Sequence, residues 1–319
     1  MGGLFGGDDR RRRHITGVTV AGLLTVAVFA GLALLGDVDE MFVALGDVDL
    51  PTLIVAMALV TSAFIVRFLK WELLARTVSV SLTTRASAIV FFSGLMMTIT
   101  PGKAGEIWKA GFATQFGNTS VTRVTAVVGA ERFSDLLGLA GLIALGPLVL
   151  GRGLLQALAV LGVAGFVVAV IRSNTAWTLA QRALDGLPLA DRAVNATDAL
   201  ETSTTALFRL KPMAAATGLS LLAWTLEGLA FVIVLEAVGV APSTALVLFV
   251  YAIGLVAGAV SLLPGGVGAT EASHVGLLAA VGYPMAAVTS AVLVVRLATL
   301  WYAVALGVLV YLGVQWHSR

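Results

Sequence analysis

The chain has 319 residues, 59% hydrophobic and only 12% charged, with a mean hydropathy of +0.99 and a formal net charge of +2. A soluble domain carries about 25% charged residues, so this composition excludes a soluble enzyme and describes a polytopic membrane protein, while the near-balance of charge leaves no basic field for nucleic acid. With no cysteine and three histidines, disulfides, thiolate metal sites and cysteine nucleophiles are excluded, and neither a metal nor another cofactor is expected.

Residues 1–14 form a basic, glycine-rich tail. The apolar run 15–36 is too long for the core of a signal peptide, and further spans follow it, so it reads as an uncleaved first helix. An acidic connector carries Asp37, Asp39, Glu40, Asp47 and Asp49. The second span opens at Pro51, which suits a first helical turn, and is expected to end near Arg67, leaving Arg67, Lys70, Arg76 and Arg85 in a basic loop. Residues 86–100 are apolar but too few to cross a bilayer, and Pro101-Gly102-Lys103-Ala104-Gly105-Glu106 breaks the helix before it resumes over 106–116. A span over 124–150 holds Glu131, Arg132 and Asp135, and another covers 154–171.

The segment 173–212 is polar. Within it Val194, Thr197, Leu200, Thr204, Leu207 and Leu210 recur at steps of three and four, which fits a weakly amphipathic helix at the membrane surface or a solvated connector. A span over 213–238 contains Glu227 and Glu236. The second broken segment runs over 244–263, through Leu263-Pro264-Gly265-Gly266-Val267-Gly268-Ala269-Thr270-Glu271, and on to 282. The last span, 285–313, embeds Arg296. Positive charge places both termini, the loop 67–85 and the segment 173–212 on the cytoplasmic side of the cell membrane, with Arg152 the one exception. That gives about six full spans plus two broken or re-entrant pairs. Asn118-Thr119-Ser120 and Asn195-Ala196-Thr197 match the glycosylation pattern but fall on the inner side.

The two halves superimpose as sequences. Pro101 precedes Gly105 by the same spacing as Pro264 precedes Gly268. The next intramembrane arginine follows each proline by 31 residues (Arg132) and 32 residues (Arg296). Repeat one covers about 51–150 and repeat two about 213–313, within a single domain at 15–316. The charge-based topology makes them inverted, an architecture of alternating-access transporters with broken helices at mid-membrane.

Lys103, Glu106, Glu131, Arg132, Asp135, Glu227, Glu271 and Arg296 lie within or beside apolar spans, and each such group costs roughly 2.5–3.5 kcal/mol at the bilayer centre. They must therefore face protein or a watery cavity. Either they form neutralising pairs that only knit the bundle, or they line a site. Glu131 and Asp135 lie one turn apart with Arg132 between them. The pseudo-symmetry predicts that Glu106 approaches Arg296 and Glu271 approaches Arg132. Thr100 is placed to cap a helix starting at Pro101, and Thr270 one starting at Glu271. Half-helices that begin inside the bilayer aim backbone N–H groups and a positive dipole end at a ligand. Gly102, Gly105, Gly265, Gly266 and Gly268 let it approach closely. With Lys103, Lys109 and Arg132 nearby, a phosphate fits, although the buried acids and bases nearly cancel and leave the headgroup's overall charge open. Pro-Gly alone also suits a plain re-entrant turn. Glu271-x-x-His274 is half of a di-iron motif with no second copy, Gly254-x3-Gly258 suits close helix packing, and no histidine completes a hydrolase triad.

These residues, taken together, resemble the flippase-like transmembrane domain of lysylphosphatidylglycerol synthases and the related UPF0104 membrane proteins, over roughly 15–315. The resemblance rests on Arg67 and Trp71 at the end of the second span and on the segment from Pro101 to Glu106. It rests further on Glu131-Arg132-x-x-Asp135, on Pro264-Gly265-Gly266-Val267-Gly268-x-x-Glu271, and on Arg296. It implies movement of polar-headed lipids between leaflets, aminoacylated phospholipids in the bacterial synthases and polyprenyl-phosphate-linked sugars for archaeal relatives. Without the soluble aminoacyl-attaching domain, aminoacyl transfer is not expected. Membrane lipids are the expected partners, with a second copy of the chain and a lipid-modifying or glycan-transferring enzyme as further candidates. The competing expectation is a membrane glycosyltransferase with a lipid-linked donor and a metal site at Asp37 and Asp39, echoed by Asp47 and Asp49. A third is a purely structural membrane partner.

Overall fold

The computed structural model describes residues 48–100, 105–117, 119–146, 154–171 and 190–317, with isolated positions between them. The 1–14 tail, the span at 15–36, Asp37, Asp39, Pro101, Gly102 and Lys103 lie outside the described residues. Among those described the chain is all-helical, without strands.

Helix α1 (Leu50–Thr77) starts where Asp49 accepts a hydrogen bond from the Thr52 N–H at 2.9 Å and Pro51 occupies the first turn. Hydrogen bonds from Thr52, its side chain first and its backbone second, hold the exposed Asp49 carboxyl below the ordinary carboxylate range. The helix does not stop near Arg67 as the charge pattern suggested. No breaker lies between Val66 and Thr77, so the run continues, and Lys70 is buried rather than set in a basic loop.

Helix α2 (Thr84–Gly94) is capped by Thr83 and tightens into a 3-10 turn, Leu95–Ile99, just before the Pro-Gly segment. The chain resumes at Gly105 as a 3-10 turn leading into a short helix α3 (Trp108–Ala113). Helix α4 (Val121–Ile143) carries the Glu131, Arg132 and Asp135 cluster, and α5 (Leu154–Ile171) follows. The periodic stretch in the polar segment is a helix, α6 (Ala190–Leu207), packed on α4 with Ser203 and Leu207 buried.

The second half repeats the sequence of element types. Long α7 (Leu210–Ala237) leads to α8 (Thr244–Val260), to the 3-10 turn Pro264–Gly266, and to α9 (Ala269–Ala280). Helix α10 (Met285–Arg296) continues through a π-turn, Leu297–Trp301, into α11 (Tyr302–His317). Among the described residues, three helices are long and apolar enough to cross a membrane, at 28, 28 and 32 residues for 50–77, 210–237 and 285–316, against the ~20 needed.

Among the described residues, the two larger apolar cores sandwich a polar layer. On α1, Val60 and Phe64 belong to one core and Trp71 and Leu74 to the other, with Arg67 and Lys70 between. On α4, Phe133 lies in the second core and Leu139 in the first, with Asp135 between. On α7, Ala216 and Trp224 flank Ser220 in the same way. Helices α4 and α7 approach so closely that a Cβ on Gly138 would sit 2.9 Å from the Leu221 backbone nitrogen, which brings Ser220 into the polar layer.

The helices exchange partners across the halves. Helix α8 packs on α4, while α11 packs on α2 and its 3-10 turn. Gly307 permits the second contact, since a Cβ there would collide with the Met96 backbone. The Gly254-x3-Gly258 spacing serves the close packing expected of it: a Cβ on Gly254 would run into the His274 ring and one on Gly258 into the Thr270 hydroxyl, so α8 lies tight against α9.

Candidate functional site

The polar layer is a connected set of ion pairs. Lys70 donates to Asp135 at 2.5 Å, to the Ser220 hydroxyl at 2.9 Å and to the Glu131 carbonyl at 3.3 Å. Lys109 sits 2.9 Å from Glu131 and 3.5 Å from Glu106, over the Trp71 ring at 4.9 Å. Gly94 leaves room for the Lys109 stem, since a Cβ there would fall 2.5 Å from its Cδ. Arg132 bridges Glu106 and Asp135 through Nη2, at 3.2 Å to each. Arg67 pairs with Glu227 at 2.5 Å and lies 4.0 Å over the Trp224 ring, and Tyr251 donates to the other Glu227 oxygen at 2.7 Å. Arg296 pairs with Glu271 at 2.5 Å and donates to the Gly265 carbonyl at 2.8 Å.

The pairing corrects the pseudo-symmetric expectation. Glu106 meets Arg132 rather than Arg296, and Glu271 meets Arg296 rather than Arg132. The cause is in the packing: half-helix α3 lies against α4 and α9 against α10, each in its own half, while the apolar arms α2 and α8 cross to the other. The caps differ as well. Thr270 lies inside α9, whose N-cap is Gly268 at φ 93°, and the Glu271 carboxylate itself accepts the Gly268 N–H at 2.7 Å. Thr100 accepts the Gly105 N–H at 2.9 Å while donating to the Met97 carbonyl at 2.7 Å, and the start of a helix at Pro101 lies outside the described residues.

A cavity of about 350 Å³ opens between the halves. Its wall includes Glu106, Lys109, Glu131, Arg132, Asp135, Glu227, Gly265, Gly266 and Arg296 of the residues singled out from the sequence. Gly105, Pro264, Gly268 and Glu271 are not in that wall. Gly105 is held by Thr100, and Glu271 stands behind Arg296. Pro101, Gly102 and Lys103 fall outside the described residues. Sequence reasoning left out Arg67, Lys70, Trp224 and Tyr251. Their signal was present in part: Arg67, Lys70 and Trp71 are spaced i, i+3, i+4 and share one helical face.

Five cations and five carboxylates (Arg67, Lys70, Lys109, Arg132 and Arg296 against Glu106, Glu131, Asp135, Glu227 and Glu271) meet in this layer. Four of the cations have side chains at most 13% exposed, whereas Arg132 is 34% exposed. Among the described residues, Arg132 Nε and Arg67 Nη2 are buried with no hydrogen-bond acceptor, although each guanidinium holds a carboxylate through another nitrogen. His274 is not a ligand candidate: it is buried, stacked on Tyr251 and hydrogen-bonded to the Tyr251 carbonyl at 3.2 Å.

The family model described as the lysylphosphatidylglycerol synthase TM region matches residues 19–307. A UPF0104 membrane protein of Methanothermobacter thermautotrophicus is 24% identical, over 94% of this chain and 92% of its own length.

Proposed function

The chain belongs to the lysylphosphatidylglycerol synthase transmembrane-region family, and on that premise we propose that it moves a polar-headed lipid, a phospholipid or a polyprenyl-phosphate-linked glycan, between the leaflets of the cell membrane. The observation that carries this is the pair of orphaned guanidinium donors, Arg132 Nε and Arg67 Nη2, on two residues of the cavity wall. A buried N–H without an acceptor is costly, and guanidinium groups match the oxygens of a phosphate in fixed, forked geometry. A headgroup phosphate held at Arg132 would give its Nε an acceptor. Arg132 is the cation best placed to receive it, being the most exposed of the five.

The balanced wall suits a headgroup that carries further polar groups beside its phosphate. Gly265 and Gly266 of the second Pro-Gly segment line the same cavity, and on the sequence pattern Lys103 of the first is proposed as a further member of the site. The inverted-repeat reading is supported by the exchange of arms, α8 onto α4 and α11 onto α2, and by the matching Glu106–Arg132 and Glu271–Arg296 pairs. A moving cavity between two such halves is the simplest route for alternating access. Both termini are placed in the cytoplasm, on the strength of the basic residues in the sequence.

The test is reconstitution into liposomes carrying fluorescent phosphatidylglycerol or fluorescent polyprenyl phosphate, with chemical quenching of the outer leaflet. Loss of inner-leaflet fluorescence beyond protein-free vesicles, for at least one of the two lipids, is expected. Protein-free rates for both would overturn the proposal.

A further inference from the structure

The cavity has a charged floor and an apolar rim. Glu106, Lys109, Glu131 and Arg296 in its wall are each at most 5% exposed. Among the described lining residues, the exposed ones are Ala259, Val260 and Leu263, all apolar and all on one stretch. Val260 is 76% exposed and Leu263 39%. This stretch is where α8 ends and the second Pro-Gly segment begins. Beside it Leu262, 66% exposed, holds a positive φ of 55°, a left-handed conformation that leucine adopts only at a cost. That turn breaks the helix and directs the next residue, Leu263, to the rim.

Depth follows from helix length. Helix α8 has 17 residues, so from its Ser243 cap it advances about 26 Å at 1.5 Å per residue. That is short of the ~30 Å hydrocarbon layer. A helix of this length that starts at one membrane face ends about 4 Å short of the other, which would set its exposed rim just inside the acyl-chain boundary. A passage for a water-soluble anion would need polar groups where solute enters; among the described residues this rim offers none.

Resting on the lipid-transport reading above, we infer that Ala259, Val260 and Leu263 form a lateral portal to the bilayer. A lipid headgroup passes through it to the Arg132 floor while its acyl or prenyl chain stays in the membrane against these three residues. The occupant is thus an amphiphile whose polar part fits the charged wall and whose chain fits the rim. The tight Gly258–Thr270 and Gly258–Gly266 approaches immediately behind the portal tie its edge to the second Pro-Gly segment, so headgroup passage and movement of that segment are linked.

The natural absence of cysteine makes the test clean. Val260→Cys is prepared alone, with Leu309→Cys as a control, since Leu309 is 68% exposed on α11 and does not line the cavity. Both are modified after folding with a bulky benzyl methanethiosulfonate and, separately, with the charged trimethylammonium reagent. At Val260→Cys the charged reagent is expected to react several-fold more slowly than the apolar one, because a charge is still disfavoured just inside the hydrocarbon boundary. Benzyl modification of Val260→Cys is expected to bring movement of both fluorescent lipids near the protein-free rate. Reductant should restore it, and modified Leu309→Cys should stay active. Equal reaction with the charged reagent, or full lipid movement by the modified Val260→Cys protein, overturns the portal. If the unmodified protein moves neither lipid, the transport reading itself fails and the portal falls with it.

Discussion

Lys70 is the sharpest test of the view that the polar layer contains both structural and ligand-facing charges. It is 1% exposed and donates to Asp135, Ser220 and the Glu131 carbonyl, and it does not line the cavity. Replacing it with methionine keeps most of the volume but removes the closest cation from Asp135, leaving that carboxylate with Arg132 at 3.2 Å and Ser220 at 3.0 Å. Breaking a buried pair costs about 3–5 kcal/mol. The two residual partners should keep this one near the lower end, at about 3 kcal/mol. The double variant Lys70→Met/Asp135→Asn no longer buries an unmatched charge and should recover at least about 1 kcal/mol of that loss, within the range of coupling energies for touching residues. The assay is unfolding by dodecyl sulfate in mixed micelles, followed by tryptophan fluorescence. A single-variant cost below about 1 kcal/mol, the value of an exposed pair, would refute the burial argument. Additive effects in the double variant would refute the pairing.

Further outcomes follow from the close approaches and caps. Gly307→Leu should force α11 off the Met96 backbone, with an overpacking cost of about 1–3 kcal/mol and a fall in lipid movement, read by the same unfolding and liposome assays. Gly258→Ala should displace Thr270 and Gly266, slowing movement more than it lowers stability, because the second Pro-Gly segment carries the Arg296 contact at Gly265. Thr100→Val removes the acceptor of the Gly105 N–H and should cost about 1 kcal/mol, visible as faster hydrogen exchange at Gly105.

The long apolar helices were legible because their hydropathy exceeds any competing signal: α7 and the α10–α11 span fall within a few residues of their expected places. The end of α1 was not. A sequence scan assigns Arg67 and Lys70 their full cost as lone charges, whereas their partners Glu227 and Asp135 lie 160 and 65 residues away. Once those partners are supplied, the helix continues through them. The buried acids and bases of the layer were visible as an excess of charge in apolar spans. Which acid meets which base depends on whether half-helices or arms cross between halves, and spacing along the chain carries no such information. The π-turn directly after Arg296 also had no sequence signal. Such turns frequently sit at functional sites, and this one shifts the register of the helix that carries the arginine. Tyr251 escaped notice because a tyrosine in an apolar helix looks like core until its hydroxyl is seen on Glu227.

The central claim is that Arg132 receives the headgroup phosphate. Lipid movement by Arg132→Gln in liposomes, with either fluorescent phosphatidylglycerol or fluorescent polyprenyl phosphate, tests it most directly. Loss of movement is the predicted result, in a protein that remains folded because this side chain is the most exposed cation of the layer. Movement at the wild-type rate would contradict it.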